Sequence, residues 1–196
     1  MSGDRGQAFT LEGLVGAAIV LTALLFALQA LVITPTTGGA VDRTAQAGIQ
    51  TEAKDALVVA ENDGDLSEMV RYWDEGEFKD GDQPRGEYNA SRFGDRFTIG
   101  EILNERFLER GQNYNVELRY GDDGEVGNAT LVYQGQPTSS AVTASHTVTL
   151  YDDQPVTGQP VTGEGNRTLA EAEEAPIPKD GEGELYNVVE VRVIVW

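Results

Sequence analysis

Twenty-one consecutive residues near the start of the chain, GLVGAAIVLTALLFALQALVI at positions 13–33, carry no charge, and 17 of them are apolar. Few folds accommodate such a run. At a rise of about 1.5 Å per residue it makes a helix about 30 Å long, the thickness of a bilayer's hydrocarbon core. A core helix of a globular protein would keep a polar face toward water, and this segment has none. The nearest charges are Glu12 before it and Asp42 after it. The run therefore predicts a membrane helix over residues 7–34. Its length exceeds the roughly 7–15 apolar residues of a secretory signal, and MSGDRGQA in front of it has no basic cluster. An A-x-A cleavage site ending at Ala30 would need a small residue where Leu28 stands. The segment is expected to remain in the mature protein.

Beyond it, Pro35 and the Gly38-Gly39 pair predict a hinge at 35–39, followed by a water-facing domain over 40–196. The charge belongs to that domain. The whole chain of 196 residues holds 33 Asp and Glu against 14 Lys and Arg, a net charge of −19, and residues 35–196 hold 31 of the acids and 13 of the bases. Such a surface repels nucleic acid and anionic lipid headgroups, so no nucleic-acid partner is expected. Arginines number 11 and lysines 3. Many short, strongly hydrated carboxylates interleaved with apolar residues suit a folded domain in concentrated salt, where screening is nearly complete. The pattern is that of a halophile's protein. Cysteine is absent and His146 is the single histidine, which removes disulfides, thiolate zinc sites and multi-histidine metal sites.

The domain reads as helices followed by strands. Over residues 40–60, Val41, Ala45, Gly48, Ile49, Ala53, Ala56, Leu57 and Ala60 recur at three- and four-residue steps, an amphipathic helix whose small-residue stripe invites close packing by a sheet or a partner helix. A short helix over 66–73 opens at Asp65, and another over 99–110 has capping-box spacing at Thr98 and Glu101, with Gly111 at its end. Residues 74–97, rich in Gly, Asp and Arg, read as a surface loop. Tyr114, Val116, Leu118 and Tyr120 alternate with polar residues, GDDG at 121–124 predicts a hairpin turn, and residues 142–150 form a third strand with His146 on its apolar face. The stretch 152–183 reads as a solvated connection. The closing NVVEVRVIVW places Val189, Val191, Val193 and Val195 on one face of a strand expected inside the sheet. The fold class is thus α+β, a long N-terminal helix and an antiparallel sheet.

Two features before the apolar run bear on function. One is Arg5-Gly6-Gln7-Ala8, a basic residue and a glycine just ahead of the helix; the other is Phe9-Thr10-Leu11-Glu12, a carboxylate at the mouth of an uncharged span. An ionised carboxylate in hydrocarbon costs at least about 2.5 kcal/mol, so Glu12 either pairs or marks the membrane boundary. In these residues the chain resembles type IV pilins and archaeal pilin-like proteins, and its RGQAFTLEG stretch together with the acidic outer domain further resembles a haloarchaeal group of exported pilin-like proteins. The resemblance implies a leader over residues 1–6, cut on the cytoplasmic side between Gly6 and Gln7 by a prepilin peptidase that favours Arg5, and retention of the apolar helix behind the cut. FTLEG is similar to the FTLIE start of bacterial pilins, whose glutamate neutralises a neighbouring subunit's new amino terminus. Glu12 lies one residue further from the cut than that glutamate. The likeness is residue by residue over about the first 35 positions and one of plan beyond them. It implies a type IV pilin-like architecture, other pilin-like subunits as partners, and a single-pass protein with its N-terminus cytoplasmic and its C-terminal domain extracellular.

Gly13 with Ala17 and Ala23 with Ala27 are small-residue pairs of the kind that let membrane helices approach, although a monomeric anchor would have much the same composition. N-x-[ST] sequons at Asn89, Asn128 and Asn166 fit an exported domain open to glycosylation. The acidic turns at Asp80-Gly81-Asp82, Asp122-Asp123-Gly124-Glu125 and Asp152-Asp153 do not continue into a twelve-residue calcium loop, and they read as solvated turns. No phosphate loop or nucleophile elbow occurs, and no cofactor, small-molecule substrate or enzymatic activity is expected. The sequence points to a pilin-like surface protein, a subunit or accessory pilin of a filament. The alternative is a single-pass surface protein whose outer domain binds a partner without polymerising.

Overall fold

The computed structural model describes residues 3–29, 37–74, 76–83, 86–158, 167–172 and 175–196, with side chains described in the first helix from Glu12 to Leu25. The chain divides into two compact units, Met1–Arg43 and Thr44–Trp196. The first contains α1 (Gly3–Gln29), a helix free of proline in which the Thr22 hydroxyl donates to the Ala18 carbonyl at 2.7 Å. Among the described residues no helix is long and apolar enough to cross a membrane. The span expected over residues 7–34 runs past the described ones at its C-terminal end. Of the expected hinge, Pro35 and Thr36 also lie outside them, whereas residues 37–39 form the first turn of α2 (Thr37–Asn62).

From Thr44 onward α2 belongs to the second unit. Ala53, Ala56, Leu57 and Ala60 are fully buried, Ile49 is half-buried, and Ala45 and Gly48 face solvent, so the small-residue stripe is covered only along its second half. A left-handed Gly64 (φ 77°) turns the chain into α3 (Asp65–Val70), which buries Leu66, Met69 and Val70. Next come the two-residue strands β1 (Trp73–Asp74) and β2 (Glu77–Phe78), then α4 (Ala90–Arg96) and α5 (Thr98–Arg106). The sheet is built from β3 (Tyr114–Asp122), β4 (Glu125–Val132), β5 (Val142–Tyr151) and β6 (Leu185–Val195). Its order is β4-β3-β6-β5, antiparallel throughout. The expected interior position of the last strand is therefore observed. Asn113 and Trp196 exchange backbone hydrogen bonds of 2.9 and 3.1 Å and extend the β3–β6 ladder by one pair.

The β3–β4 turn is the hairpin read from GDDG. Asp123 (φ 50°) and Gly124 (φ 83°) both adopt positive φ between the paired Asp122 and Glu125, the conformation that matches strand twist in a two-residue turn. Period-two alternation then sorts the strands into faces. Val189, Val191, Val193 and Val195 lie beside Val116 and Leu118 of β3 and Ala144 and Val148 of β5, all buried, and the sheet packs this face on α2. Burying a valine side chain contributes about 1.5–3 kcal/mol, so each residue of this layer adds measurably to the stability of the unit. The opposite face carries Glu117, Arg119, Glu190 and Arg192, with Arg192 3.5 Å from Glu117.

Residues 74–97 correct the surface-loop expectation. Tyr88, Phe93 and Phe97 are buried there and form a cluster with Tyr72, with ring centroids 5.3–5.8 Å apart. Polar spacing hid three core aromatics: Phe93 in α4, Phe97 between α4 and α5, and Tyr88, which bridges to Val132 of β4. Capping is also reassigned. Asp65 does not cap its own helix; its carboxylate accepts the Thr98 and Ile99 amides at 3.1 and 2.9 Å and so caps α5, whose N-cap Phe97 has no polar side chain. The two helices also end earlier than expected, at Val70 and Arg106; a 3₁₀ turn, Leu108–Arg110, leads to the left-handed Gly111. The stretch 152–183 is not wholly solvated. Val156, Leu169 and Ile177 are buried, and Arg71 of the α3 C-cap donates to the Pro155 carbonyl at 2.6 Å.

Candidate functional site

In α1 the described side chains from Glu12 to Leu25 are all exposed. Leu14, Val15, Ile19, Val20, Leu21, Leu24 and Leu25 keep 51–70% of their surface open. At about 100° per residue, positions 14, 15, 19, 20, 21, 24 and 25 cover most of the helix circumference, so the apolar surface is not a stripe left by a missing core. Free globular domains rarely expose contiguous apolar surface of this extent. A Cβ added at Gly13 or Gly16 would meet nothing within 4 Å, so close approach by another helix is sterically open there. Glu12 is exposed at the N-terminal edge of this surface. Arg5, Gly6 and Gln7 lie in the first turns of α1, N-terminal to the described side chains.

The sequons separate on geometry. Asn89 is exposed, but its side chain is fully engaged as the N-cap of α4: Oδ1 accepts the Arg92 amide at 2.9 Å, Nδ2 donates to the Asp82 carboxylate, and its own backbone N–H donates to Asp82 at 2.8 Å. That last bond is the main reason the Asp82 carboxyl is held below the ordinary aspartate range. Asn128 is exposed on β4 opposite Arg119, and its side chain makes no hydrogen bond among the described residues. Asn166 lies outside the described residues.

His146, on the sheet face toward α2, places Nε2 4.0 Å from Glu61 Oε2, and that buried oxygen has no hydrogen-bond partner among the described residues. No serine or second histidine completes a relay with this pair among the described contacts. A polar cluster outside the sheet surrounds Tyr72, whose hydroxyl donates to Asp80 at 2.7 Å while Arg96 stacks 3.9 Å over its ring. Burial, then the Asp80 bond, raises the Tyr72 hydroxyl above the usual tyrosine range. A phenol held protonated in this way anchors the aromatic cluster and is a poor general base. Among the described residues no group of three or more His, Asp and Glu is arranged to hold a metal ion.

A family model matches residues 5–195, which takes in both α1 and the sheet. The chain belongs to DUF7288, a family of unknown function. No curated protein and no solved structure matches it. For DUF7288 the span of the match is the informative part, because the apolar helix and the α+β domain fall within one family model. The DUF7288 chain is a single plan, an exposed apolar helix carried with a well-packed sheet domain, and its function has to be read from that plan.

Periodicity missed the Asp82–Asn89 pair and the Asp65 cap of α5. A polar residue preceding a short helix signals a cap, but only the fold says which helix receives it.

Proposed function

We propose that this protein is a pilin-like, membrane-anchored surface protein, a subunit or accessory pilin of a type IV pilus-like filament. A prepilin peptidase cuts between Gly6 and Gln7, the apolar helix holds the protein in the membrane or in the core of a filament, and the acidic α+β domain is presented outside the cell. The observation that carries this reading is α1, whose seven large apolar residues keep 51–70% of their surface open within a family model that also takes in the sheet. Water opposes that exposure by about 25 cal/mol per Å² of apolar surface, so lipid or neighbouring helices are needed to cover it. The RGQAFTLEG start supplies the processing site and the boundary carboxylate Glu12.

N-terminal sequencing of the protein extracted from membranes tests the first step. A chain beginning at Gln7 is expected, and one beginning at Met1 or Ser2 removes the pilin reading. The alternative, an anchored surface module that never polymerises, draws support from Glu12 standing one residue beyond the pilin glutamate. Shearing cells separates the two. Recovery in extracellular fibres, abolished by Gly6→Leu, supports the filament, and exclusive retention in the membrane favours the module.

A further inference from the structure

The outer side of edge strand β4 is bridged by Tyr88 at Leu131 and Val132, and before that bridge it faces a groove of about 340 Å³, lined by Glu77 and Phe78 of β2, by Glu87, and by Asn128 and Thr130 of β4 itself. Its chemistry is mixed: one half-buried aromatic ring, a proline, two carboxylates, an amide and a hydroxyl. Neutral hydroxyl-rich ligands fit such a lining, because carboxylates accept hydroxyl protons in charge-assisted bonds and a ring offers an apolar wall to a sugar's C–H face. Asn128 and Thr130 are also the first and third residues of a sequon, so the candidate acceptor residue lines a groove suited to the group it would receive. At Asn89 the amide is committed at both ends, to Asp82 and to the first turn of α4, whereas the Asn128 amide has no partner among the described residues.

We propose that Asn128, and not Asn89, is an N-glycosylation site, and that the groove between β4 and β2 seats the first sugar. This inference rests on the exported placement of the sheet domain proposed above. In the transfer, the Asn128 amide nitrogen attacks the anomeric carbon of a saccharide carried on a polyprenyl phosphate or diphosphate. The C–N bond forms as the bond from that carbon to the phosphate oxygen breaks; the lipid phosphate leaves with the electron pair, and one amide proton passes to the transferase's base.

The test uses the full-length chain made in a haloarchaeal host, with glycan positions localised by fragmentation mass spectrometry. A saccharide on Asn128 and none on Asn89 is expected, with loss in Asn128→Gln and Thr130→Ala and retention in Thr130→Ser. A bare Asn128 overturns the inference, and so does equal occupancy at Asn89. Protease treatment of intact cells tells the two failures apart. A bare Asn128 on an outward-facing domain sinks only the site, whereas an inaccessible domain sinks the exported placement as well. For the seat, the glycosylated protein should melt about 2 °C or more above Asn128→Gln. That difference should vanish in Phe78→Ala and shrink in Glu87→Gln; a difference unchanged in both overturns the seat.

Discussion

Asn187 is 2% exposed and joins three segments by its side chain alone. Its Nδ2 donates to the carbonyls of Gly121 at 2.9 Å and Pro178 at 2.7 Å, and its Oδ1 accepts the Gly121 amide at 3.1 Å. Removing it takes their partner from several part-buried backbone groups, each at a penalty of about 1–3 kcal/mol where water does not replace it. Asn187→Ala should therefore lower stability by about 3 kcal/mol, read from denaturant unfolding of the full chain in detergent. Asn187→Asp, which keeps the acceptor and loses both donors, should do comparable damage; a change under about 0.5 kcal/mol in either would mean the clamp is ornamental. Nothing in NVVEVRVIVW announced this role. The valines of that strand were legible because alternation is a local property, and Asn187 was not, because its partners lie 66 and 9 residues away. The same holds for Asp65, read as a cap for the helix beside it and found capping one 34 residues on.

At the level of elements, glycine separates tight packing from open surface. Gly100 in α5 approaches α4 so closely that a Cβ there would run into the Phe93 carbonyl, whereas a Cβ at Gly48 in α2 would meet nothing within 4 Å. Alanine is better than glycine in a helix by about 1 kcal/mol. Gly48→Ala should accordingly stabilise the protein by up to about 1 kcal/mol, while Gly100→Ala should destabilise it by about 2 kcal/mol or more as α4 and α5 are forced apart. Thermal unfolding by circular dichroism measures both, and equal signs would refute the packing of α4 on α5. Long elements with a strong period, α2 and the four sheet strands, were readable from residue spacing. Short elements were not: β1, β2 and α4 span two, two and seven residues, too few for a period to emerge, and their core aromatics stand among polar neighbours. The exposed helix surface of the candidate site, Leu14 to Leu25, was legible from composition alone, because no polar position interrupts it save Thr22 and small residues.

For the whole molecule, charge sets the conditions under which the packing survives. Thirty-one of the 33 acids lie in residues 35–196, and the ion pairs at the surface, such as Glu52 with Arg110 at 3.0 Å and Glu68 with Arg96 at 3.3 Å, are worth little individually. Mutual repulsion among the rest is long-ranged in dilute buffer and confined to about 3 Å at 1 M salt. The melting temperature of the full chain should rise steadily from about 0.1 M toward molar potassium chloride; a fall over that range would remove the halophilic reading. The strand order carries a different consequence, one of timing. β6 pairs with both β3 and β5, yet follows both in the chain. While the polypeptide is being made, β3 can form only its hairpin with β4, and β5 has no ladder partner until residues 185–195 emerge. Domains dominated by such distant pairings close late. An unfinished chain of this design therefore stays loose at its centre, and the sheet locks only once the stretch that completes it, Leu185–Val195, has been made.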